Sequence, residues 1–150
     1  MFLRLTWRLP RVPATASIPR RALDSALQAL GITADCRADL ALALSEACAN
    51  AIEHARLGAD YCVTVTADPE LCMVEVADCG IGIAGGQVDT QAAAPGSTRG
   101  RGIMLIRACT DSLDLAAVEP HGLAVRFSKR LVWEPGAQDS FLLSAAGGGT

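Results

Sequence analysis

Glu46 and Asn50, four residues apart, Asp78 followed by Gly80 and Gly82, and Gly100 with Gly102 are the residues of this chain whose types and spacing could do chemistry. A carboxylate can take up a proton, and an amide oxygen suits a hard cation such as Mg²⁺. An acid on a buried strand face needs a hydrogen-bond donor, and an exocyclic amine such as that of adenine would supply one. Glycines let the backbone turn sharply and approach a ligand closely. A helix start presents free N–H groups to an anion, and Arg99 and Arg101 add charge complementary to phosphate. Each motif alone has a duller reading: a solvated helix face for Glu46, an Asp-x-Gly turn for Asp78, a connector with solvated arginines for 96–102. Together they are the parts of a nucleotide site.

These residues must be positioned by regular elements, and the hydrophobic pattern supplies them. Leu3, Leu5, Trp7 and Leu9 alternate with Arg4, Thr6 and Arg8, the period of a half-buried strand. Ser17 and Pro19 open a helix with Leu23, Leu27 and Leu30 at helical spacing, and Gly31 closes it. Thr33 or Asp35 caps a second helix running to about residue 56, on which Glu46, Asn50 and His54 share one stripe. His54 reads as a partner at the helix end and is left out of the site. Strands over 61–67 and 71–77 are joined by Asp68-Pro69-Glu70. The stretch 83–99 reads as a loop of functional length. A helix over 102–110 and a hairpin built on Leu113, Leu115, Leu123, Val125 and Phe127 complete the pattern. The prediction is an α+β two-layer sandwich, with helices on one face of a mixed, mostly antiparallel sheet. One domain is expected over 1–133 and a disordered tail over 134–150.

Bulk properties narrow the function classes. The chain has 150 residues, 51% hydrophobic and 19% charged, enough for one globular core. A net charge of −3 argues against direct nucleic-acid binding. No apolar run is long enough for a bilayer, and Arg4, Arg8 and Arg11 interrupt any signal peptide, so a cytoplasmic, non-membrane protein is expected. The six cysteines form no C-x-x-C pair and read as buried free thiols rather than zinc ligands or disulfides, with Cys79 the one to test for reactivity. Gly80-Ile-Gly82-Ile-Ala-Gly85 matches the dinucleotide fingerprint, but no helical period and no acid follow where that motif needs them. Lys129 is the sole lysine, which rules out a Walker-type loop.

Leu44-Ser-Glu-Ala-Cys-Ala-Asn-Ala-Ile-Glu-His54, Val76-Ala-Asp-Cys-Gly-Ile-Gly82 and Gly100-Arg-Gly-Ile-Met-Leu-Ile106 resemble the N, G1 and G2 boxes of GHKL ATPases and kinases. Within that superfamily the first box and the chain length are most similar to bacterial anti-sigma factor serine/threonine kinases. The resemblance covers residues 3 to 131 and implies a Bergerat fold binding ATP and Mg²⁺ under a lid over 83–99. It makes Glu46 the general base, Asn50 the Mg²⁺ ligand and Asp78 the adenine contact. Gly80, Gly82 and Ile83 fall on the adenine side, and Ser97, Thr98, Arg99, Gly100, Arg101, Gly102 and Ile103 around the phosphates. One departure is Ala124, near where the family often carries a threonine beside adenine. The implied activity is phosphorylation of a serine on an anti-sigma-factor antagonist, with sequestration of a sigma factor and homodimerisation. The alternatives are a non-catalytic ATP-binding switch and the detached catalytic domain of a histidine kinase. The latter is disfavoured because no helical hairpin with a phosphoacceptor histidine precedes the boxes; Hsp90- or gyrase-like ATPases would need a following transducer domain, for which the sequence is expected to leave no room.

Overall fold

The computed structural model describes residues 2–54, 60–78, 83–87, 98–118 and 122–147. Strand β1 (Leu3–Pro10) leads through a 3-10 turn at Pro13–Ala16 into helix α1 (Ser17–Leu30). Gly31 ends that helix with φ +97°, a backbone setting that a side chain would strain. Helix α2 (Ala34–His54) starts at Thr33, whose Oγ1 accepts the Cys36 N–H at 3.4 Å. The hairpin β2 (Asp60–Ala67) and β3 (Leu71–Asp78) turns on Asp68, which accepts the N–H groups of Glu70 and Leu71, both at 2.7 Å. These donors hold the Asp68 carboxyl below its usual range. Strand β4 (Ile83–Gln87), helix α3 (Thr98–Cys109), the hairpin β5 (Ser112–Val118) and β6 (Gly122–Arg130), and helix α4 (Ala137–Gly147) follow.

The strands form one sheet in the order β1-β2-β3-β6-β5-β4, and all five pairings are antiparallel. The mixed sheet expected from the sequence is therefore antiparallel throughout the described strands. Tyr61, Val63, Val65, Cys72, Val74, Val76, Val125 and Phe127 point to the helix-covered face and meet Leu23 and Leu27 of α1 and Leu40, Ala43, Leu44, Ala47 and Cys48 of α2. The opposite face carries rows in register such as Thr6, Thr64, Glu75, Arg126 and Asp114. Such alternation is what a sheet covered on one side demands.

Three elements differ from the sequence expectation. Part of the loop over 83–99 is an edge strand, β4, whose pairing to β5 shifts register between Ile83 and Gln87. Helix α3 starts at Thr98 and not at Gly102, so Gly100 and Gly102 lie inside its first turns. Glycine there costs about 1 kcal/mol against alanine, and packing of α3 on α2 overrides that propensity. Helix α4 occupies most of the stretch expected as a disordered tail. It is held because Phe141 stacks near Phe2 and Trp133, with ring centroids 4.8 and 5.6 Å away.

The segment before α4 straps one pole of the molecule. Thr33 N donates to Val132 O (2.8 Å), Glu134 N to Gly31 O (2.7 Å) and Leu131 N to Glu70 O (2.8 Å). Trp133 Nε1 donates to Pro69 O at 2.8 Å. The α1–α2 turn and the β2–β3 turn are thus tied together at the end of the sheet remote from Asp78.

Candidate nucleotide site

On α2, the residues facing the sheet are Leu40, Ala43, Leu44, Ala47 and Cys48. Glu46 and Asn50 occupy the stripe beside them and meet α3. A Cβ placed on Gly102 would lie 3.1 Å from Glu46 Oε2 and 3.5 Å from both Oδ1 and Nδ2 of Asn50. The first and third motifs therefore touch, and the contact requires the glycine. Lys129 ties the far ends of the two helices, with Nζ 3.1 Å from Asp39 Oδ2 and donating to Cys109 O at 3.2 Å. The helices run antiparallel.

Asp78 ends β3 opposite Tyr61. The Tyr61 side chain packs in the same buried cluster as Cys48, which lies between Glu46 and Asn50 on α2. Tyr61 is fully buried, and its hydroxyl lies 3.0 Å from Thr15 Oγ1. The second motif thus joins the other two through an apolar floor. Beyond Val76 β3 no longer pairs with β6, although it still pairs with β2 as far as Asp78.

The chemistry of the site is written in its unsatisfied groups. Asp78 is 3% exposed and, among the described residues, neither of its carboxylate oxygens has a hydrogen-bond partner; Asn50 is 7% exposed and its Nδ2 likewise has none among them. Buried polar groups are rarely left so, and each costs about 1–3 kcal/mol. Burial pushes the Asp78 carboxyl above its usual range, and the positive charge of Arg11 opposes that shift. An amine-bearing ring placed against Asp78 would repay its desolvation. The Asn50 amide fits a share in Mg²⁺, because that ion keeps water and phosphate oxygens and needs few protein ligands. Among the described residues no group of three or more His, Cys, Asp or Glu could hold a metal alone, so any Mg²⁺ would come with phosphate. Two hollows, about 540 and about 190 Å³, flank the β2–β3 turn at the strapped pole, away from these residues.

Other expected site residues fall as follows. Gly80, Gly82 and Ser97 lie outside the described residues, as does Cys79. Ile83 belongs to β4, and Thr98, Arg99 and Gly100 form the first turn of α3, where free N–H groups can meet an anion. Arg101 is exposed. Ile103 is buried in the main core. Ala124 packs with Ala77 and Ala116 in a separate small cluster. Because Ala77 and Asp78 are successive strand residues, that cluster is on the other face from Asp78, and Ala124 does not border the acid. Sequence reasoning missed Arg11 and Tyr61, neither of which sits in a motif. The expectation of buried free thiols holds for Cys36, Cys48 and Cys72, with burial pushing Cys48 and Cys72 up to about 12, while Cys109 is free but only half-buried. Cys62 departs from them: it is disulfide-bonded. It alternates away from the core face of β2 and so is not one of the buried core thiols.

A sheet covered by helices on one face, with an orphaned acid at a strand end and a carboxylate–amide pair against a helix-start glycine, defines a nucleotide-binding α+β domain. Residues 9–129 match the model of the histidine kinase-like ATPase domain, and the chain belongs to that family. The family implies ATP as the nucleotide. The fold is similar to the crystal structure of the RsbU and RsbW domains of Rv1364c from Mycobacterium tuberculosis, with a TM-score of 0.64 at 19% identity. That match covers 86% of this chain and 32% of the other, so the chain spans about a third of that protein's length. A search of curated proteins finds no match. No helix among the described residues is long and apolar enough to cross a membrane.

Proposed function

We propose that this chain is an ATP-dependent protein serine kinase that acts as an anti-sigma factor. It would phosphorylate an anti-sigma-factor antagonist on serine and sequester a sigma factor in the cytoplasm. The observation that carries this reading is the approach of Glu46 and Asn50 to Gly102, which brings a carboxylate and an amide against the first turns of α3. The family and the resemblance of the first box to anti-sigma kinases support it.

Asp78 accepts the adenine amino group, with Gly80, Gly82 and Ile83 on that side of the ring. Thr98, Arg99 and Gly100 offer first-turn backbone N–H groups to the phosphates, Gly102 lets α2 approach, and Ser97, Arg101 and Ile103 complete that end. Asn50 Oδ1 would hold Mg²⁺, which when bound would supply charge neutralisation on the phosphates. Glu46 removes the proton from the serine hydroxyl as its oxygen bonds to the γ-phosphorus. The bond from that phosphorus to the bridging oxygen breaks, and ADP departs with the electron pair. Orientation and electrostatics supply most of such catalysis. A homodimer forms through the free edge of β1, the outermost strand of the sheet.

The test is transfer from γ-labelled ATP to the antagonist encoded beside the chain. Wild type is expected to label serine, and Glu46→Ala to lose about 10²-fold or more in rate while still binding ATP. Equal labelling by the two proteins, or none by either, would overturn the kinase assignment.

A further inference from the structure

Glu46 does not stand alone on its stripe. One turn earlier on the same side of α2 is Leu42, a large apolar residue left 41% exposed. Glu46 faces Gly102, and Asp39 is linked through Lys129 to Cys109, so the antiparallel register sets Leu42 level with Leu105 of α3. Leu105 is 40% exposed and its neighbour Met104 is 72% exposed. Around them lie the small exposed residues Ala38 and Ala108, with exposed Arg101 one turn before Leu105. Exposed apolar residues grouped on two neighbouring helices mark an interaction site, and methionine adapts well to a partner's contours.

We infer that the outer face formed by Leu42, Met104 and Leu105 is the docking surface for the phosphoacceptor protein. This rests on the kinase reading above and deepens it. A serine carried by a folded protein must come within hydrogen-bond reach of Glu46, about 3 Å. Its carrier cannot do so without covering what lies one helical turn away, about 5 Å. What lies there is Leu42, with Leu105 level with it on α3 and Met104 turned to the outer side of that helix. Arg101 at its margin favours a partner whose contacting face is apolar in the centre and acidic at the rim. The small side chains at 38 and 108 let a helix of that partner approach closely.

The experiment compares wild type with Leu42→Asp and Met104→Asp, exposed positions where the fold tolerates change. ATP affinity is read by titration with a fluorescent nucleotide, melting temperature by calorimetry, and acceptor KM by labelling the antagonist encoded beside the chain. Expected are unchanged ATP affinity and melting temperature with a rise in acceptor KM of roughly tenfold or more, as for loss of a central interface contact. Labelling by wild type with unchanged KM in both variants would overturn the docking surface and leave the kinase reading intact. Loss of sigma-factor capture with unchanged acceptor KM would give the face to that other partner and likewise overturn the assignment. ATP binding without labelling by wild type would remove the kinase reading, and the docking surface with it.

Discussion

At the scale of single residues, Asp78 and Gly102 place stability and function in opposition. Burial raises the Asp78 pKa in the folded chain. The folded protein therefore holds a proton there that the unfolded chain has released, and stability is greatest below the unfolded pKa near 4 and lost as pH rises through the folded value. The cost of the buried carboxylate therefore grows as pH rises. Asp78→Asn is accordingly expected to raise unfolding stability by about 1 kcal/mol at pH 7, and by less near pH 4, while abolishing ATP binding; urea melts at the two pH values and a nucleotide titration check this. Gly102→Ala sets two effects against each other. Alanine favours the helix by about 1 kcal/mol, but its methyl would crowd Glu46 Oε2 at 3.1 Å. Stability should stay within about 1 kcal/mol of wild type, whereas transfer should fall roughly tenfold or more because the base is displaced. Parallel denaturation and labelling assays separate the two.

At the scale of elements, the strap and α4 are expected to serve stability alone. Phe141→Ala removes the ring that joins Phe2 and Trp133, and the predicted loss is about 1–2 kcal/mol with nucleotide affinity unchanged, since the strapped pole is remote from Asp78. Denaturant unfolding and ATP titration of one sample decide it. Period and punctuation made most elements legible in the sequence: the alternation from Leu3 to Leu9, Gly31 at a helix end, Thr33 at a helix start, Asp68 in a turn. What escaped was decided by tertiary contact. The tail lacks a strong helical period, and its one anchoring ring meets partners at opposite ends of the chain. The start of α3 was obscured because its glycines are there for α2 and not for the helix. In the site, Glu46, Asn50 and Asp78 were legible as types in order. Arg11 was not, because its influence on Asp78 depends on how the chain folds back after β1. Ala124 was placed beside adenine by likeness of position, and strand alternation puts it on the other face.

At the scale of the whole molecule, the two poles divide the work. One end is closed by paired turns and stacked rings. The other holds polar groups without partners among the described residues, whose desolvation a ligand would repay, so ATP should stabilise the domain by mass action. The seam between β3 and β6 joins residues 71–76 to 125–130 across some fifty intervening positions. During synthesis the first hairpin and both long helices leave the ribosome well before β6 exists to pair with them. Until then one edge of β3 stays open, with Val74 and Val76 lacking the partners they later find in Phe127 and Val125. A nascent chain of this protein therefore carries an open β3 edge until β6 has been made, and the sheet that bears Asp78 is closed only when that last strand pairs.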